Sequence, residues 1–121
     1  MRIVIVAATL LACHAVTFAQ VETLAKAEVE TLFVGKTVVA VRSDGIKTRT
    51  EIKPDGWMFI NTSAGGSGKA RWTINENGQL CWKGVGSSGD GCRAYVRKEG
   101  KVLVYDPANM EKPSGEIESI R

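Results

Sequence analysis

Cys81 and Cys92, eleven residues apart, are the first residues in the chain whose type and spacing could do chemistry. A cysteine pair serves as a metal clamp, a reactive dithiol or a disulfide. The first two normally recruit a histidine or another activating base. The only histidine is His14, next to the third cysteine, Cys13. Two glycine-rich stretches look like phosphate loops and fail on inspection. Gly84-Val85-Gly86-Ser87-Ser88-Gly89 has dinucleotide-site spacing but leads into a strand-like run at Cys92, whereas that chemistry needs a helix N-terminus. Gly65-Gly66-Ser67-Gly68-Lys69 has Ser63 where the first glycine belongs and Ala70 where a magnesium-binding hydroxyl belongs. The carboxylates are scattered over turns and exposed faces, with nothing to pair them for acid/base work. No catalytic, cofactor or metal site is expected.

The N-terminus bears on what chemistry survives. Met1-Arg2 is followed by an apolar run of ten residues, Ile3 to Ala12, interrupted only by Thr9, too short to span a bilayer and suited to a signal-peptide core. Thr17-Phe18-Ala19 offers a cleavage site, so residues 1–19 read as a leader and Gln20 as the first mature residue. Leu10-Leu11-Ala12-Cys13 also resembles the lipobox of bacterial lipoproteins, which implies acylation at Cys13 and a membrane anchor. Simple cleavage removes His14 and Cys13 and leaves Cys81 and Cys92 as an even pair. In an oxidising compartment such a pair is most simply a disulfide. Closing a loop of about a dozen residues, it should contribute roughly 3 kcal/mol. A periplasmic or secreted protein is therefore expected.

The elements that must position these residues follow from hydropathy period. Gln20 to Phe33 places Val21, Leu24, Ala25, Val29, Leu32 and Phe33 near one face of a helix, with Gly35 as its stop. From Lys36 onward the period is 2. Ser43-Asp44-Gly45, Pro54-Asp55-Gly56, Glu76-Asn77-Gly78 and Glu99-Gly100 are turn sequences between short apolar-alternating runs. Seven or so strands at regular spacing predict an antiparallel meander closing into a small lipocalin-like barrel, with one N-terminal helix over residues 20–33. Residues 116–121 read as a possible last edge strand. At 121 residues, 44% hydrophobic and 24% charged, residues 20–121 form one domain with one modest core.

A net charge of +3 gives no reason to expect nucleic-acid binding. It is unevenly spread: residues 36–101 hold twelve Lys/Arg against six Asp/Glu, while both flanks are net acidic. If an anionic partner exists, its face is Lys47, Arg49 and Lys53 together with Lys83, Arg93 and Arg97. The simpler alternative is that these are solvated outward faces. Trp57, Trp72 and Trp82 read as sharing inward parity with Ile74 and Leu80, either lining a ligand cavity or filling the core.

Phe33-x-Gly35-Lys36-Thr37, Pro54-Asp55-Gly56, Gly68-x-x-x-Trp72, Leu80-Cys81-Trp82 and Cys92 together are similar to a family of short exported proteobacterial proteins known as a domain of unknown function. Over residues 32–106 the resemblance implies a periplasmic β-meander with a disulfide, and brings no activity. A second stretch, Ser63 to Trp72 followed by Trp82-Lys83-Gly84, resembles the membrane-associated and periplasmic lysozyme inhibitors. That likeness implies that Ser67 and Lys83 enter a lysozyme cleft from adjacent loops. The expectation is a non-enzymatic binding protein whose partner is an unknown protein or a small apolar or anionic ligand. The alternative is such an inhibitor.

Overall fold

A computed structural model describes residues 22–121 apart from Ser87. The expected leader over residues 1–19, the choice between Ala19 and Cys13 processing, and the first helical residues expected from Gln20 lie outside the described residues.

The chain forms one helix, α1 (Lys26–Phe33), and eight strands: β1 (Thr37–Arg42), β2 (Lys47–Ile52), β3 (Trp57–Thr62), β4 (Ser67–Ile74), β5 (Leu80–Gly84), β6 (Gly91–Lys98), β7 (Lys101–Tyr105) and β8 (Gly115–Ile120). They run as an antiparallel meander and close, β8 pairing with both β1 and β7. The expected barrel is present. The expected edge strand is instead the closing stave.

The helix starts later than its sequence period suggests. β5 begins only at Leu80, opposite Arg93, so the β6 backbone beyond Arg93 needs another partner. Thr23 and Leu24 supply it in extended form: Thr23 bridges Val96, and the Leu24 N–H donates to the Tyr95 carbonyl at 2.8 Å. Helix begins only after Ala25, whose N–H reaches the Glu28 carboxylate at 3.4 Å. Gly78 makes this approach possible, because a Cβ there would coincide with the Leu24 carbonyl. Lys26 pairs with Glu76 on the β4–β5 turn at 3.0 Å.

From this anchor α1 plugs one end of the barrel. Leu24, Val29 and Phe33 pack with Val38, Ile52, Ile74, Leu80, Tyr95, Val102 and Val104 in one buried cluster. Phe33 and Val29 are fully buried, and the Phe33 and Tyr95 rings meet at 4.6 Å. A register shift in the β1–β8 ladder lets Ile117 face Ala40 and Ile120 face Val38, so both isoleucines join the inner surface. Outside the barrel, Met110 in the β7–β8 connection covers a second cluster of Ala94, Val96, Leu103 and Tyr105.

Candidate functional site

The half of the barrel away from α1 is hollow. A cavity of about 440 Å³ extends from Phe33 and Tyr95 at its floor to Arg42, Ser43, Asp44 and Ser114 at its mouth. Strand alternation selects its lining. β1 contributes Val38 and Ala40, β2 Thr48, Thr50 and Ile52, and β3 Met58 and Ile60. β5 contributes Leu80 and Trp82, β6 Arg93 and Tyr95, β7 Val104 and β8 Ile117. The floor and lower walls are apolar, two threonines add hydroxyls midway, and charge is confined to the upper part.

Glycines shape that upper part. A Cβ on Gly91 would stand 2.6 Å from Trp82 Cζ2, so the indole lies against bare backbone. On Gly68 and Gly84 a Cβ would run into Ser88, which the β5–β6 loop tucks toward the barrel. The Asp90 carboxylate fixes this loop by accepting the Gly84 N–H at 3.0 Å.

Two arginines reach this region and differ in their partners. At the rim, Arg42 is neutralised by Asp44, Nη2 to Oδ2 being 2.7 Å. Deeper, the Arg93 guanidinium lies 5.2 Å from the centre of the Trp82 ring and donates from Nη1 to the Cys92 carbonyl at 2.8 Å. Among the described residues no carboxylate forms an ion pair with it. A guanidinium carries five N–H donors in a planar fork, so this one retains the capacity to hold an anion. Below it, burial pushes the Tyr95 phenol well above its ordinary range, with Arg93 drawing it slightly back. Tyr95 is therefore a neutral hydroxyl at any ordinary pH.

The sequence-predicted residues fall in several places. Cys81 and Cys92 are directly opposite on β5 and β6 and form a disulfide, Cα–Cα 4.0 Å. It faces outward, since Leu80 and Trp82 face in. Of the three tryptophans, Trp82 lines the cavity. Trp72 lies opposite it on β4, packs against the core and donates its indole N–H to the Lys53 carbonyl at 2.8 Å. Trp57 does not share their parity, because Ile52 pairs with Met58 and thereby turns Met58, not Trp57, inward. Its ring is on the outside, 3.9 Å beneath the Arg71 guanidinium and 5.4 Å from Lys69 Nζ.

The expected basic face is also redrawn. Lys47, Arg49, Lys53 and Lys83 are exposed on the outer wall. Lys47 is paired with Glu118 at 3.1 Å. Arg93 is not on that wall: with Cys92 outward, alternation sends Arg93 in. Arg97 is exposed near the β6–β7 turn, beside the plugged end. The disulfide register was the available signal for Arg93, because placing Cys92 opposite an outward Cys81 fixes its neighbour. Ser67 and Lys83 are both exposed, but they are strand residues of β4 and β5, not tips of adjacent loops. Lys83 faces Arg71, four residues along β4 from Ser67, or roughly 13 Å at strand spacing. The loop insertion implied by the inhibitor resemblance does not follow from this placement. Among the described residues no cluster of three or more His, Cys, Asp or Glu converges to hold a metal ion, and no helix is long and apolar enough to cross a membrane.

Fold and cavity together define an eight-stranded up-and-down barrel, plugged by a helix at one end and hollow at the other. The chain belongs to the DUF995 family, proteins of unknown function, whose family model matches residues 2–106. Neither curated proteins nor solved structures gave a match.

Proposed function

We propose that the protein is an exported, non-enzymatic binding protein whose barrel holds a small amphipathic anion, its apolar part on the Phe33 floor and its head on Arg93. One observation carries the reading: Arg93, a cation without a carboxylate partner among the described residues, stands above the apolar floor and lower walls of a cavity of about 440 Å³. That volume falls in the range typical of small-molecule sites. Burying a guanidinium beside apolar walls is costly unless an anion joins it, so a ligand supplying one is favoured over a neutral molecule of the same shape. Trp82 lines the cavity with the Arg93 guanidinium 5.2 Å from its ring centre, which gives the site its own optical reporter.

Titration of tryptophan fluorescence with octanoate and with octanol tests this. Octanoate should bind and octanol should bind at least about tenfold more weakly, because a charge-assisted hydrogen bond contributes roughly 1.5–3 kcal/mol. Arg93→Gln should erase that preference while leaving octanol binding in place. Equal affinity for acid and alcohol, or unchanged preference in the variant, refutes the role of Arg93. Export is read separately, by intact mass of protein recovered from the periplasm. A mass beginning at Gln20, or at an acylated Cys13, supports it, and retention of Met1 refutes it.

A further inference from the structure

We propose that the outer wall of β2–β5 docks the barrel onto an anionic lipid bilayer. The reading is independent of what the cavity holds. Register brings Arg49 of β2, Lys69 and Arg71 of β4 and Lys83 of β5 onto this wall, with Lys53 just beyond the end of β2. The only carboxylate among their outward neighbours on these strands is Glu51, 3.8 Å from Lys53. Lys69 and Arg71 come from β4, whose outward face the linear charge count alone did not single out. Within the patch the Arg71 guanidinium stands over the Trp57 ring, 3.9 Å from its centre, a cation–π contact.

At its centre is Phe59, directly opposite Glu51 on one side and Lys69 on the other, and 38% exposed. It is one of two large hydrophobic residues left exposed among those described, the other being Val85. An exposed aromatic ring within a predominantly cationic wall suits the boundary between phosphate headgroups and acyl chains. The wall is the outside of a closed barrel, and the described cavity of this half opens elsewhere, at the mouth. A broad array of anions fits such a surface better than a polymer that needs a groove. This route to a membrane requires no acyl chain on Cys13.

The test compares co-sedimentation of the full chain with phosphatidylcholine vesicles and with vesicles containing phosphatidylglycerol. The ratio of the two partition coefficients cancels charge-independent insertion by residues 1–21, and their charges are the same in wild type and in every variant below. Wild type should favour the anionic vesicles at least tenfold in low salt and lose most of that preference in 0.5 M NaCl. Arg49→Glu/Lys69→Glu/Arg71→Glu should abolish the preference. Arg97→Glu/Lys98→Glu/Lys112→Glu, an equal change of charge at exposed sites away from this wall, should retain most of it. If circular dichroism shows the first variant unfolded, Lys69→Gln/Arg71→Gln takes its place and should lose preference in part. Equal loss in wall and control variants would show that net charge alone is at work, and overturns the proposal. So does binding to soluble dextran sulfate without preference for anionic vesicles.

Discussion

Tyr95 joins the plug to the cavity, touching Phe33 on one side and standing two residues along β6 from Arg93 on the other. Its burial ties stability to alkaline pH. An unfolded tyrosine ionises near pH 10, whereas the folded protein keeps this phenol protonated well above that. Below pH 10 both states hold the proton and the contribution is fully present. Above it the unfolded chain releases a proton that the folded chain retains, so stability falls as pH rises toward the folded value, by up to about 1.4 kcal/mol per unit. Urea melts of wild type and Tyr95→Phe at pH 9 and pH 11 check this. The wild type should lose more stability between those pH values than the variant. Equal losses would mean that the phenol is not kept from solvent.

At the scale of elements, the disulfide staples the short β5 to β6, whose ladder to β5 spans only three residue pairs before Thr23–Leu24 takes over. Removing it with Cys81→Ser/Cys92→Ser should cost roughly 3 kcal/mol. Thermal melts with and without reductant check this, and the double variant should match the reduced wild type. The Trp82–Arg93 side of the cavity should loosen first, seen as a change in tryptophan emission before global unfolding. The strands and their turns were legible in the sequence because Asn77-Gly78, Pro54-Asp55-Gly56 and the two-residue alternation act locally. The start of α1 was not, because residues 22–25 have helical hydropathy and were claimed by an unpaired stretch of β6. Nor was the cavity, since the cation inside it, Arg93, reads in isolation as another surface cation. Trp57 failed for a related reason: the turn before it sets the phase of β3, and the residue type says nothing about phase.

For the molecule as a whole, closure depends on β8, which pairs on both sides and carries Ile117 and Ile120 into the interior. Ending the chain at Ser114 would leave β1 and β7 with unpaired backbone edges, the condition that promotes association between copies. Size-exclusion chromatography should show the truncated chain eluting larger than the full chain, or aggregating. A truncated chain that elutes as a compact species of its own size would show that β8 is dispensable. The helical plug has a consequence of its own. On the binding reading proposed above, Phe33 is the bottom and Arg93 the upper stop, and the barrel would act as a ruler for an anion entering tail first. In a series of straight-chain carboxylates, affinity should climb with each added carbon until the tail touches bottom, then fall as the head is lifted past the guanidinium. Phe33→Leu lowers the bottom, so the best length should shift to a longer acid. An optimum that stays put would mean that the tail never reaches the plug.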